Sequence, residues 1–248
     1  MNKCILITLI LICAGCNQGK KWQTVHNDFA TIPKDLTKAT KHIATDRPSQ
    51  LILLTGGAAS WYIRDQHDDR IANHFDGGGQ LGRDLDIAIG TAGNPFWHFG
   101  IFTASYLAGL ELEHDRTREV SFSTIKALGL TSIITNVFKC VNDYGPNGEP
   151  RAWPSWHTAS SVTVATVMNE YYGPKVGLPL YLLSGAVMYE RMDTREHWAS
   201  DLAFGAAIGY TVGKAIAGAD NPQIFGMDLV PTISPYSGAV GLVLTKDF

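Results

Sequence analysis

Residues 191–201 contain an arginine, a histidine and an aspartate at spacings that suit chemistry on an anion. His197 and Asp201 are four residues apart, so on a helix they share one face. A carboxylate there accepts the proton-bearing ring nitrogen of the histidine and leaves the other nitrogen free as a nucleophile. Arg191 can donate two parallel hydrogen bonds to a phosphate held against that nitrogen. Taken alone, such a His-Asp pair is more often an ordinary pair on a helix surface.

A second segment, Pro154-Ser155-Trp156-His157, precedes a predicted helix over residues 155–172. Ser155 is a preferred N-cap residue. The first N–H groups of a helix lack intrahelical acceptors and favour an anion. His157 in that first turn is placed to donate a proton to a leaving oxygen. The alternative is a simple helix cap followed by an incidental histidine.

Together the two segments resemble motifs of the type 2 phosphatidic acid phosphatase superfamily, which includes bacterial acid phosphatases and vanadium haloperoxidases. The family pattern is K-x6-RP, then PSGH, then SR-x5-H-x3-D, on consecutive helices of a bundle. The matching residues are Pro154, Ser155 and His157 in the second motif and Arg191, His197 and Asp201 in the third. The resemblance covers the helix order over residues 51–217 and the motif detail over residues 139–201.

Three departures from the family pattern concern the anion site. Trp156 replaces the motif glycine, so a bulky side chain stands where the backbone approaches phosphate. Glu190 replaces the serine before the motif arginine and adds a negative charge. Lys139 matches the first motif, but the seventh residue after it is Pro146 instead of arginine. Arg151, five residues further on, either replaces that arginine or is a solvated loop residue.

The resemblance implies a phosphatase that hydrolyses phosphomonoesters without a metal, through a phosphohistidine on His197. Asp201 then holds the tautomer of His197, and His157 protonates the leaving alcohol. The implied phosphate-binding residues are Lys139, Ser155, Trp156, Arg191 and Arg151. No cofactor is implied, and vanadate is expected as an inhibitor. Lipid phosphates, isoprenyl pyrophosphates and small phosphoesters are all candidate substrates.

Two alternative functions stay open at this point. The damaged first motif is compatible with a family member that binds phosphate or a lipid headgroup without efficient turnover. The same group of residues also suits a vanadate-dependent haloperoxidase, in which vanadate is a prosthetic group. The net charge of -3 argues against a nucleic-acid partner, because such proteins present a basic face.

The elements that must position these residues are helical. Between residues 51 and 218, apolar segments with helical spacing alternate with glycine or charged breaks, which predicts an all-α bundle. No segment is an uninterrupted apolar run of about 18 residues, which predicts a water-soluble helical bundle and not a six-span membrane protein. The tail, residues 219–248, has two β-favouring stretches around Ser237-Gly238, which predict a short hairpin. The charged cluster His67-Asp68-Asp69 is interpreted as solvated, and Trp97-His98 as a packed pair.

Residues 1–16 are typical of a bacterial secretion signal: Lys3 precedes an apolar run, and Ala14-Gly15 precede Cys16. This ending resembles a lipobox and predicts lipidation of Cys16, with ordinary signal cleavage as the alternative. We therefore expect a lipid-anchored, periplasm-facing protein of the cell envelope. Asn17 slightly favours the outer membrane. Residues 17–50 are polar and predicted to be a tether with at most one short helix.

Overall fold

The protein is described here from a computed structural model, which covers residues 18–77, 79–141, 143–218, 223–224, 227–233 and 240–245. The helices are α1 (Gln18–Thr45), α2 (Arg47–Gln66), α3 (Asp68–His74), α4 (Arg83–Gly93), α5 (Pro95–Glu111), α6 (Asp115–Phe138), α7 (Trp156–Tyr172), α8 (Pro174–Asp193) and α9 (Ala199–Ala217). The strands are β1 (Gln223–Ile224), β2 (Met227–Ile233) and β3 (Val240–Thr245). The predicted signal and Cys16 lie outside the described residues.

The predicted all-α bundle is confirmed. Helix α7 lies at its centre and packs against α5, α6, α8 and α9, while α9 also packs against α1 and α2. In the tail, β2 and β3 pair antiparallel from Asp228↔Thr245 to Ile233↔Val240, where the hairpin is predicted. The short strand β1 adds to β2.

The N-terminal region differs from the predicted tether. Residues 18–45 form one helix, and Arg47 begins the next. Leu36, Ala39 and Ile43 recur at helical spacing and pack into the core, with Ala39 only 1% exposed. This apolar stripe is narrow, so the polar residues around it conceal it in the sequence. Lys126 on α6 also donates to Asp35 at 2.6 Å, which ties α1 to the bundle.

The close contact between α7 and α9 depends on glycine. A Cβ at Gly209 would stand 2.3 Å from the carbonyl oxygen of Ala159, and one at Gly205 would stand 2.7 Å from that of Ser155. These glycines are four residues apart and face α7 along one side of α9. The absence of side chains lets the two helix backbones approach, and this brings the two sequence motifs together.

Among the described helices, α6 (Asp115–Phe138) is long and apolar enough to cross a membrane. Of its most apolar 18-residue window, 56% is buried inside the protein, and the core helix of a soluble protein meets the same criterion.

Candidate active site

The pair His197 and Asp201 is present, and it lies at a helix start instead of along a helix. Helix α9 begins at Ala199, two residues after His197. The Asp201 carboxylate accepts the N–H of Trp198 at 3.0 Å and lies 3.2 Å from Nδ1 of His197. Asp201 therefore caps the helix and contacts the imidazole at once. Both residues are buried, with His197 8% and Asp201 0% exposed.

The turn between α8 and α9 explains the spacing from Arg191 to His197. The carbonyl of Arg191 accepts the N–H groups of both Glu196 and His197, at 3.1 and 3.2 Å. Arg195 adopts a φ of 59°, the left-handed conformation that ends many helices. The backbone therefore reverses within the turn, and Arg191 and His197 are connected directly by a hydrogen bond.

The second motif meets the third through the backbone. Ser155 is fully buried and caps α7, its hydroxyl accepting the N–H of Thr158 at 3.4 Å. Its own N–H donates to the carbonyl of Asp201 at 3.1 Å. The start of α7 and the start of α9 are thus adjacent. The positive dipole ends of both helices therefore lie in one region, and the first N–H groups of α7 lack intrahelical acceptors there, which favours an anion.

His157 is in the first turn of α7, and its surroundings disfavour its protonated form. Burial is the main cause, followed by electrostatic interactions with Arg191, His197 and Lys139. Together they lower the pKa of His157 to about 3, so the imidazole is neutral near pH 7 when no anion is present. Arg191, His197 and Lys139 are therefore near enough to His157 to act on its pKa.

The side chain of Trp156 is directed toward α6. Its indole Nε1 donates to the hydroxyl of Ser132 at 3.1 Å, and its ring meets Phe96 edge-on at 5.4 Å between centroids. The backbone N–H of Trp156 remains in the first turn of α7, where it lacks an intrahelical acceptor. The tryptophan is therefore held by a neighbouring helix at the position where the family has glycine.

Lys139 and Arg151 have different positions. Lys139 directly follows α6, and its Nζ donates to the carbonyl of Arg151 at 2.6 Å. Burial lowers the pKa of Lys139, against the charge of Asp201, which raises it. The side chain of Arg151 is exposed, and among the described residues no hydrogen bond or ion pair involves its guanidinium. Arg151 therefore contributes its carbonyl to the contact with Lys139, while its side chain is exposed.

Arg191 is the motif residue with the most unexpected environment. Glu190 accepts hydrogen bonds from its Nε and Nη2, and Glu196 accepts one from its Nη1. Glu190 is 1% exposed, and burial raises the pKa of its carboxyl while Arg191 lowers it. The guanidinium of Arg191 therefore keeps its charge, but two carboxylates share it.

Sequence reasoning missed the part that Asp68 takes in the site. Asp68 is 4% exposed, whereas the charged cluster around it was expected to be solvated. Its carboxylate accepts the N–H of Ser200 at 3.1 Å and the Ser200 hydroxyl at 2.5 Å. Asp68 thus supports the start of α9 next to the His-Asp pair. No local signal marks it, because its partner is far away in the sequence.

The pair Trp97-His98 was expected to be packed, and only the histidine is. His98 is buried, with Nε2 2.8 Å from the carbonyl of Ala92 and Nδ1 3.2 Å from the Ser160 hydroxyl. Trp97 is 57% exposed. Because the Ser160 hydroxyl also donates to the carbonyl of His157, His98 supports the first turns of α7.

In the structure His197 contacts Asp201, the charges of Lys139 and Arg191 act on His157, and the Arg151 side chain is exposed. Within the described residues, no group of three or more His, Cys, Asp or Glu side chains is arranged to hold a metal ion. The fold and site define an all-α protein in which two histidines lie near the cations Lys139 and Arg191.

Comparison with known proteins agrees with this class. The family model of the PAP2 superfamily matches residues 122–223, which include both histidine motifs. This match agrees with the resemblance to the PAP2 superfamily that the sequence motifs predicted. Over 66 residues it is 35% identical to a lipid A 1-phosphatase of Porphyromonas gingivalis, a stretch that covers 25% of this chain. The chain spans 15% of the length of that relative. No solved structure matches the chain.

Proposed function

We propose that this protein is a phosphatase that hydrolyses phosphomonoesters, with lipid phosphates as the preferred class, through a phosphohistidine on His197. The observation that carries the proposal is the contact of 3.2 Å between Nδ1 of His197 and the buried carboxylate of Asp201. A proton on Nδ1 leaves Nε2 with a free lone pair, which is what attack on phosphorus requires.

The first half-reaction follows from this arrangement. Nε2 of His197 attacks phosphorus, a P–N bond forms, and the bond from phosphorus to the ester oxygen breaks. The leaving oxygen takes its proton from His157. Lys139, Arg191 and the N–H groups at the start of α7 donate to the equatorial oxygens, where charge is spread in the transition state.

The second half-reaction regenerates the enzyme. His157, now neutral, takes a proton from water, and the resulting hydroxide attacks phosphorus. The P–N bond breaks, inorganic phosphate leaves and His197 recovers its lone pair. No step in this sequence requires a metal ion.

Protonation of His157 is coupled to substrate binding in this mechanism. With no anion present, the pKa of His157 is lowered to about 3, by burial and by nearby positive charge. A bound phosphate offsets that positive charge and raises the pKa of His157. Substrate binding therefore favours the protonated form of His157, which donates a proton to the leaving oxygen.

A lipid substrate is supported by the surface beside the start of α7. Phe96, which contacts Trp156, is 72% exposed, and Trp97 is 57% exposed. Ile101, one helical turn further along α5, is 55% exposed. An exposed apolar strip next to a polar site suits a substrate with an apolar chain and a phosphate head. The relative named lipid A 1-phosphatase points to the same class.

The proposed location of the protein is the cell envelope. Lipidation of Cys16 would anchor the protein in the cell envelope, facing the periplasm, and keep the pocket near a membrane. Mass spectrometry of the protein purified from membranes tests this directly. A mature chain that begins at a lipid-modified Cys16 supports the anchor, and an unmodified N-terminus contradicts it.

A second candidate function is phosphate or headgroup binding without efficient turnover. Two observations favour it: the Arg151 side chain is exposed, and Arg191 shares its charge with Glu190 and Glu196. Loss of one transition-state donor lowers turnover by about 100- to 1,000-fold in other enzymes. A slow enzyme and a binding protein therefore differ here only in rate.

One experiment separates these functions. The mature protein is given a chromogenic phosphomonoester with and without vanadate, beside His197→Ala and the control His26→Ala, which removes an exposed histidine on α1. Vanadate-sensitive hydrolysis by wild type and His26→Ala alone supports the phosphatase. Phosphate binding without hydrolysis supports the binding protein. Bromide oxidation that needs vanadate would instead identify a haloperoxidase.

A further inference from the structure

The carboxylates around Arg191 are not part of the family motif. Glu190 occupies the Nε and Nη2 side of the guanidinium, and Glu196 occupies Nη1. Asp86 on α4 is a third carboxylate, close enough for its charge to act on both Arg191 and Glu190. A guanidinium has five N–H donors, so two remain for a phosphate.

Glu190 and Glu196 differ in how far their side chains are buried. Glu190 is 1% exposed and held against α4, where a Cβ at Gly90 would stand 3.0 Å from both its Oε1 and Nη2 of Arg191. Glu196 lies in the turn between α8 and α9, and its side chain is 44% exposed. Glu190 is therefore a fixed partner of the arginine, whereas Glu196 stands at the solvent side, directly before His197.

The charge balance at the pocket is unusual for an anion site. Lys139 and Arg191 are the cations whose charges act on His157. The negative charges nearby are those of Asp201, which contacts His197, and of Glu190 and Glu196, which bind Arg191. One phosphate can still bind, because two N–H donors of Arg191 and the first N–H groups of α7 remain for it. A second phosphate group on the side of Glu196 would meet a carboxylate that already binds Nη1 of Arg191.

We propose that Glu196 is a specificity-determining residue that favours a single phosphate group over a diphosphate at this site. The inference rests on the proposed phosphatase site and deepens it, since it selects phosphomonoesters among the candidate substrates and disfavours pyrophosphate esters. Its carboxylate acts in two ways: it competes with the ligand for Nη1 of Arg191, and it repels any further anionic group.

The test compares inorganic phosphate and inorganic pyrophosphate as ligands of the full mature protein. Coulomb energy is proportional to ligand charge, and pyrophosphate carries about twice the charge of phosphate. Glu196→Gln keeps the shape of the side chain and removes its charge. We expect it to tighten phosphate binding about 3-fold and pyrophosphate binding about 10-fold, because doubling the charge squares the factor.

Glu149→Gln is the matched control. Glu149 is exposed in the loop before Ser155 and makes no contact with Arg191, so its removal changes net charge equally. We expect less than about 2-fold change for either ligand, since exposed charges at a distance are screened. Glu196→Ser provides a second variant, and circular dichroism establishes that all variants are folded.

The outcomes distinguish this inference from the proposed function. A larger gain for pyrophosphate than for phosphate in both Glu196 variants, absent in Glu149→Gln, supports the inference. Equal gains in affinity for the two ligands, no gain, or weaker binding overturn the inference. The phosphatase proposal is unaffected by these outcomes if His197→Ala still abolishes hydrolysis. Failure of wild type and both Glu196 variants to bind either ligand overturns both.

Discussion

The carboxylate of Asp68 accepts the N–H and hydroxyl of Ser200, the second residue of α9. This connects the N-terminal helices to the start of the helix that follows His197. Ser60 on α2 reinforces the connection, because its hydroxyl donates to the carbonyl of Ser200 at 2.9 Å. Residues of α2 and α3 therefore support the start of α9 next to the His-Asp pair. Both helices lie outside the region that matches the family model.

Asp68→Asn is expected to destabilise the fold by about 1–3 kcal/mol, because the amide has one acceptor oxygen and leaves one of the two buried Ser200 donors without a partner. Urea unfolding measures the change, and the exposed neighbour Asp69→Asn is the control. We also expect kcat to fall with little change in KM. The start of α9, which positions His197, becomes less rigid, while the phosphate donors remain. Equal stability of the two variants would contradict this account.

Asp201→Asn is expected to lower kcat by about 100- to 10,000-fold, by analogy with the loss of an orienting aspartate in other enzymes. The amide can still meet the N–H of Trp198, so the helix cap persists, but its NH2 group can favour the wrong tautomer of His197. Steady-state kinetics on a phosphomonoester measures the loss. A variant that is folded and retains full kcat would show that Asp201 only caps α9.

Binding of phosphate near pH 6 is expected to take up protons through His157. The pKa of His157 is lowered to about 3 when no anion is bound, and the anion raises it, so between the two values the complex holds the extra proton. Calorimetry in buffers of different ionisation enthalpy measures the uptake. His157→Gln should lack this part of the uptake, while the titration of phosphate itself remains; identical uptake in both proteins would refute the assignment.

Gly209→Ala is expected to destabilise the protein by about 1–3 kcal/mol, the usual cost of overpacking. The new Cβ would stand 2.3 Å from the carbonyl oxygen of Ala159, which is backbone and cannot turn away. Gly129→Ala on α6 is the control, because nothing lies within 4 Å of its Cβ position. That variant should gain up to about 1 kcal/mol through helix propensity. Thermal unfolding compares the two, and a loss of the same size in both would remove the argument for close packing.

Trp156→Ala is expected to lower stability by about 1–3 kcal/mol, through loss of the ring contact with Phe96 and the hydrogen bond to Ser132. Phosphate affinity should change less than about 2-fold, since the backbone N–H is kept. Denaturation and phosphate titration give the two numbers. Tighter phosphate binding in the variant would mean that the indole obstructs the pocket.

The helical class and both histidine motifs could be predicted from the sequence because they depend on local patterns. Ser155 caps α7 through a residue three positions away, and the bond from Arg191 to His197 forms within one turn. Apolar residues at helical spacing likewise predict which face of a helix is buried, provided that the apolar stripe on the helix is broad. The stripe of α1 is too narrow, so that helix was predicted as a tether.

The partners of these residues were decided only by the tertiary structure. Asp68 and Ser200 are 132 residues apart in the chain, and no local pattern encodes which distant side chain a buried carboxylate meets. The exposed side chain of Arg151 and the direction of Trp156 depend in the same way on how neighbouring helices pack. The sequence alone determined which residue types are available for chemistry; packing decided their charge environment, because burial and distance set the strength of every electrostatic interaction.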